Sequence, residues 1–150
     1  MCEYCGCQAL SSIAQLTREH EDALELVYSA TEALRSGRLP ETRELCRQLR
    51  SLLEPHTAVE EQALFPVMAE DFPEQIAALV ADHELIDAAL DELIDDNPAP
   101  DWATRLAPAL ALLPQHILRE QDGVFPAALT TLTPAQWDAL DEVRTPHASR

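Results

Sequence analysis

The sequence predicts an all-α protein of four long amphipathic helices followed by a short C-terminal one. Three observations carry that expectation. Leu and Ala dominate a chain of 150 residues in which Gly occurs three times and aromatics make up only 5%. Apolar residues recur every three or four positions in four successive segments, the period of a helix with one buried face. The stretch His56–Pro66 also returns as His116–Pro126, with its histidine, glutamate, phenylalanine and proline each sixty positions later. A duplicated helical segment of that kind points to a bundle built from two similar halves.

Residues 1–9 form a cysteine-bearing tail, 10–143 the bundle and 144–150 a C-terminal tail that frays. From about Leu10 to Leu34, the positions Ile13, Leu16, His20, Ala23, Val27, Ala30 and Leu34 make one stripe. Gly37 suits a helix end, and Pro40 with Glu41 suits the first turn of the next helix. The second stripe runs Leu45, Leu49, Leu52, His56, Glu60, Leu64 and Val67, with Pro55 and Pro66 flanking its polar part and bending the helix there. A turn at Asp71–Pro73 leads to a third stripe of Ile76, Leu79, His83, Asp87, Leu90 and Leu93. After the linker Asn97–Pro100, Asp101 caps a fourth helix whose stripe is Leu106, Leu110, Leu113, His116, Glu120 and Val124. Thr133 and Gln136 have capping-box spacing and open a short last helix through about Val143, with Trp137 and Leu140 facing the bundle.

Histidine and carboxylate interrupt these stripes near the helix midpoints. In His56-x-x-x-Glu60 and His116-x-x-x-Glu120 a spacing of four places both side chains on one face. His20 and His83 supply one further imidazole ahead of each pair. Burying such groups without partners costs several kcal/mol each, so they satisfy one another or a cation. Imidazole with carboxylate suits iron, manganese or zinc, and the absence of thiolates from the stripes argues against structural zinc. Two glutamates able to bridge and four imidazoles fit two metals about 3.5–4 Å apart. Ferritin-like bundles use a glutamate on two helices and Glu-x-x-His on the others, which is not this pattern. Imidazole binds metal only when neutral, and an ordinary value of about 6.5 predicts that affinity falls as pH drops through roughly 6 to 5.

The order His, HxxxE, His, HxxxE, with Phe-Pro after each glutamate, resembles the hemerythrin-like proteins, the HHE cation-binding domain, in its bacterial single-domain form. The resemblance covers about residues 10–143. It implies an antiparallel up-down-up-down four-helix bundle around a non-haem di-iron centre with a bridging oxo or hydroxo group. By position, His20 and His56 bind one iron, His83 and His116 the other, and Glu60 and Glu120 bridge them. Oxygen-carrying hemerythrins have a second histidine one turn after the first on the third helix, where this chain has Asp87. An anionic ligand there, or a water in its place, favours ferric iron. Asp87 either binds metal or holds His83 or a water. Reversible oxygen carriage is then less expected than iron or oxygen sensing, iron handling, or chemistry with dioxygen, peroxide or nitric oxide.

The formal net charge of −17 argues against nucleic acid and anionic membrane surfaces as partners. No apolar run approaches the roughly 20 residues of a membrane span, and the N-terminus does not read as a signal peptide, so a cytoplasmic location is expected. Cys2, Cys5 and Cys7 suit a reducing compartment and form an oxidation-prone tail, a redox pair, or a thiol site with Cys46. Glu21, Asp22 and Glu61 adjoin the metal-ligand candidates in sequence and are read as solvated or supporting charges. Tyr28, two turns from His20, either approaches the centre or packs. Two function classes follow: a di-iron oxidoreductase acting on peroxide, ferrous iron or nitric oxide, or a sensing module that reports iron and oxygen to a protein partner.

Overall fold

The computed structural model describes residues 6–95 and 97–148. Among these the structure is helical throughout, with no strand: α1 (Cys7–Arg35), α2 (Leu39–Val59), α3 (Phe65–Met68), α4 (Pro73–Ile94), α5 (Trp102–Arg119), α6 (Phe125–Thr131) and α7 (Pro134–Ala148). The four long helices pack in a closed ring, α1 on α2, α2 on α4, α4 on α5 and α5 on α1, and α7 lies across α1, α2 and the segment after α2.

Local chemistry sets the ends. Gly37 stands at φ 73, and the amides of Gly37 and Arg38 donate to the carbonyls of Leu34 and Ala33, closing α1 with a left-handed glycine cap. Proline opens α4 at Pro73, where its missing N–H costs nothing. At α7 the Thr133 amide donates to the Gln136 side chain and the Gln136 amide to the Thr133 hydroxyl, the reciprocal capping box the sequence predicts.

Two short π-helical turns, Glu60–Leu64 and Glu120–Val124, join α2 to α3 and α5 to α6. In each, an amide reaches back five residues, Phe65 to the Glu60 carbonyl and Phe125 to the Glu120 carbonyl. The cause lies one residue further on. Pro66 and Pro126 have no N–H, and in a regular α-helix their rings strike the carbonyl four residues back. Widening the turn relieves that clash, and π turns of this kind gather at functional sites.

The apolar core has two clusters, one on each side of the histidine layer. One contains Leu16, Leu64, Phe65, Leu79, Phe125 and Trp137, and the other Val27, Leu49, Ile86, Leu90, Leu106 and Leu110. Several sequence expectations need correction. α1 starts at Cys7, inside the segment read as tail, and α7 runs to Ala148 instead of fraying after Val143. The buried stripe of α2 passes through Thr42 and Cys46, not Leu45, and that of α4 through Ile86, leaving Asp87 half-buried at its edge. Asp101 occupies the N-cap position of α5, but its carboxylate makes no cap because Arg105 takes both oxygens.

Candidate metal centre

Four helices bring His20, His56, Glu60, His83, His116 and Glu120 into one buried layer. Their donor atoms form two groups, each with all atoms within 4.8 Å: His20, His56, Glu60 and Glu120, and Glu60, His83, His116 and Glu120. The carboxylates belong to both groups. Glu60 places Oε2 3.3 Å from Nε2 of His56 and Oε1 3.3 Å from Nε2 of His83. Glu120 places Oε1 3.0 Å from Nε2 of His20 and Oε2 3.3 Å from Nε2 of His116. Each carboxylate therefore offers one oxygen to each histidine pair.

Both glutamates are 0% exposed, yet none of their four oxygens, nor Nε2 of His20, finds a hydrogen-bond partner. The approaches between Glu120 and His20 are close without being directed as hydrogen bonds. Two buried carboxylates with no directed donor at any of their oxygens are poorly satisfied by hydrogen bonds, and cations held at those oxygens would offset the cost of their lost water. The donor set, imidazole nitrogen and carboxylate oxygen, suits such cations.

The outward-facing ring nitrogens are all engaged. Nδ1 of His56 donates to Glu19 (2.8 Å), Nδ1 of His116 to Asp82 (3.0 Å), Nδ1 of His20 to the Gln121 side-chain oxygen (2.9 Å), and Nδ1 of His83 to Glu61. Arginines hold two of these acceptors: Arg144 donates to Glu19 and Arg119 to Asp82. Where a ring is neutral with its hydrogen on Nδ1, the lone pair of Nε2 faces the glutamates, the arrangement that orients histidine for a metal. Phenylalanines fix the ring planes: Phe125 stacks on His20 with centroids 5.3 Å apart, and Phe65 on His83 at 5.7 Å, both at 9°.

These contacts also set the protonation of the metal-free centre. Burial depresses His56, but the Glu60 charge and the Glu19 bond outweigh it and lift the ring to about 10. The same balance raises His83 to about 9, through Glu60 and Glu61, and raises His116 through Glu120 and Asp82. Burial pushes the Glu60 carboxyl up, and the positive His56 beside it more than reverses this, holding it well below the usual range. Competition between protons and metal thus starts far above the pH 6 to 5 that an ordinary imidazole implies.

The six donor residues line a small cavity together with Leu53, Thr57, Ile86, Asp87, Leu113 and Ile117. It offers about 10 Å³, the room of roughly one water-sized molecule. Asp87 belongs to neither donor group; it is half-buried and sits 3.5 Å from Arg50, with burial raising its carboxyl and Arg50 partly opposing this.

The family model for the hemerythrin HHE cation-binding domain matches residues 11–128. The chain belongs to the hemerythrin family. Comparison with curated proteins and with solved structures finds no match. The match takes in all six residues of the buried layer and ends before α7, so the hemerythrin domain proper is the ring of long helices.

Within this hemerythrin domain, six of the seven residues singled out from sequence meet and Asp87 stands beside them. Glu19, Asp82 and Gln121 were missed. The signal was in the repeat: Glu19 and Asp82 each precede the lone histidine, and Glu61 and Gln121 each follow the glutamate. Since Glu60 faces the bundle axis, its neighbour Glu61 faces the adjacent helix and reaches His83. Glu21 and Asp22 are exposed, as is Tyr28 at 68%, which takes no part in the centre. Cys46 is sealed in the core, where burial pushes its thiol up to about 11, and no thiol joins a metal-binding group among the described residues. Cys7 is exposed on α1, and Cys2 and Cys5 lie outside the described residues.

Proposed function

We propose that the chain is an antiparallel, up-down-up-down di-iron protein that binds and reacts with dioxygen, peroxide or nitric oxide. His20 and His56 hold one iron, His83 and His116 the other, and Glu60 and Glu120 bridge them. The observation that carries this reading is the pair of wholly buried carboxylates, each presenting one unpartnered oxygen to each histidine pair. Short connections between helices that pack as neighbours support the antiparallel arrangement.

Bound iron would supply one-electron redox chemistry towards a small ligand. The chain supplies the rest. Leu53, Ile86, Leu113 and Ile117 exclude bulk water and limit the ligand to a few atoms. Asp87 holds a proton at its carboxyl oxygen more readily than a surface aspartate does, and it lines the cavity, where it would pass that proton to a reduced ligand. We therefore read Asp87 as a proton-handling neighbour of the irons.

Loading with ferrous iron under anaerobic conditions, metal analysis, then rapid mixing with dioxygen or peroxide in the presence of excess ascorbate as electron donor tests the proposal. Two irons per chain and ligand consumption over many cycles are expected. One iron per chain at saturation overturns the two-iron reading, while a long-lived adduct without turnover assigns the protein to binding or sensing instead.

A further inference from the structure

The sixty-residue repeat makes two copies of one groove, of which the described residues fill only one. The first lies between α1 and the end of α2. Ile13, Leu16, Val59, Ala63, Leu64 and Val67 line it, and they share one apolar cluster with Trp137 and Leu140 of α7. Histidines 20 and 83 differ by sixty-three positions and the two HxxxE segments by sixty. Those offsets carry the lining onto Ile76, Leu79, Arg119, Gly123, Val124 and Ala127. Those six residues, with Met68 and Phe72 beside them, wall an open apolar cavity of about 430 Å³, within the range of binding pockets.

The second groove is ready for an occupant. Phe72 stands 40% exposed at its edge. A Cβ built on Gly123, at the place of Ala63, meets nothing within 4 Å. Arg119 replaces Val59 and from within the groove supports Asp82, the service that Arg144 of the docked α7 performs for Glu19. The occupied copy shows the occupant's shape, a helix presenting an aromatic residue and a leucine three positions apart. Charge distinguishes the two. Asp138 and Asp141 of α7 are met by Gln8, whereas the residue sixty-three positions after Gln8 is Asp71, and the chain carries −17 overall.

We propose that the groove between α4 and the second π turn docks an amphipathic helix of a partner protein, with a Trp-x-x-Leu apolar edge like that of α7 and basic residues in place of Asp138 and Asp141. Recognition is of the helix-in-groove kind, with charge favouring encounter. Because Arg119 lies in the groove and holds Asp82, and Asp82 holds His116, two side-chain contacts link an occupant to the metal centre.

The probe is a labelled peptide of residues 134–148 carrying Asp138→Lys and Asp141→Lys, titrated into the full chain at physiological salt. Saturable one-to-one binding is expected, weakened about tenfold or more by Gly123→Leu or by Phe72→Glu, with the unsubstituted peptide binding less well. Both positions are exposed, so helicity and melting checks keep each variant interpretable by itself. Absence of saturation, or affinity that neither variant alters, overturns the proposal. So does sedimentation showing that a second copy of the chain fills the groove, or binding of a fatty carboxylate such as dodecanoate where the peptide fails.

Discussion

Loading the metal-free protein with a divalent cation at pH 7.5 should expel about two protons per chain from His56 and His83 alone. With their rings at about 10 and about 9, both are more than nine-tenths protonated at that pH. An ordinary imidazole at about 6.5 would carry about a tenth of a proton, and the pair about 0.2. The expected signal is thus about tenfold above that of unperturbed histidines, and His116 adds to it. Titration calorimetry in buffers of different ionisation enthalpy counts the protons, and imidazole NMR of the metal-free protein locates them. All ten basic residues are arginine, so no lysine obscures the range from pH 7 to 10.

Stability should follow the same groups. The raised histidines stabilise the metal-free fold fully below about 6.5 and lose that contribution as pH rises through about 9 and 10. The depressed Glu60 contributes fully above its ordinary value of 4.5 and loses this as pH falls below it. The metal-free protein is therefore most stable between about 4.5 and 6.5, while metal, which needs neutral rings, stabilises increasingly as pH rises. The gap in melting temperature between loaded and metal-free protein should widen from pH 6 to pH 9. Release near 0.2 protons, with a metal-free melting temperature flat from pH 7 to 10, would refute this account of the centre.

Further outcomes follow from the geometry. Glu60→Ala or Glu120→Ala should lose both metals and His20→Ala mainly one, since each glutamate touches both histidine pairs; equal single-metal losses, by elemental analysis, would contradict the bridging role. Asp87→His should lengthen the life of an oxygenated form, and Asp87→Ala should open the cavity and speed reaction with azide or peroxide; autoxidation rates identical in all three proteins would make Asp87 a bystander. Glu61→Gln should weaken cation binding by roughly tenfold at the histidine pair it serves, measured by competition with a chelator, and an unchanged affinity would remove Glu61 from the centre.

How far the sequence could be read depended on whether a feature repeats. The helical stripes and the duplicated HxxxE pairs follow from periodicity alone, so the four-helix ring and the six buried metal-ligand candidates were legible. The π turns were not: Pro66 and Pro126 signalled a bend, but the choice between a kink and a widened turn depends on packing of Phe65 and Phe125 against histidines on other helices. Glu19 and Asp82 went unread because their roles exist only across helices. On α4 the periodicity did not single out Ile86, which is buried in the core, while Asp87 beside it is half-buried, lines the small cavity and lies 3.5 Å from Arg50. α7 looked short because its last turn lacks an apolar pattern, yet Arg144 anchors it to Glu19.

The near two-fold symmetry of the donors stops at the groups behind them. Around His20 and His56 stand the neutral Gln121 and a Glu19 whose charge Arg144 balances. Around His83 and His116 stand Glu61, with no arginine of its own in these contacts, and an Asp82 that Arg119 balances. One carboxylate oxygen in place of one amide oxygen thus makes the second position more negative by a unit of charge, delivered directly to an imidazole. A carboxylate partner strengthens a histidine's donation and favours the greater positive charge at its metal, whereas an amide does not. Asp87 stands on the same side, on α4 one turn beyond His83. The duplicated sequence therefore builds a symmetric cradle and then breaks its symmetry at residues 61 and 121, so that two cations held there would meet different charge.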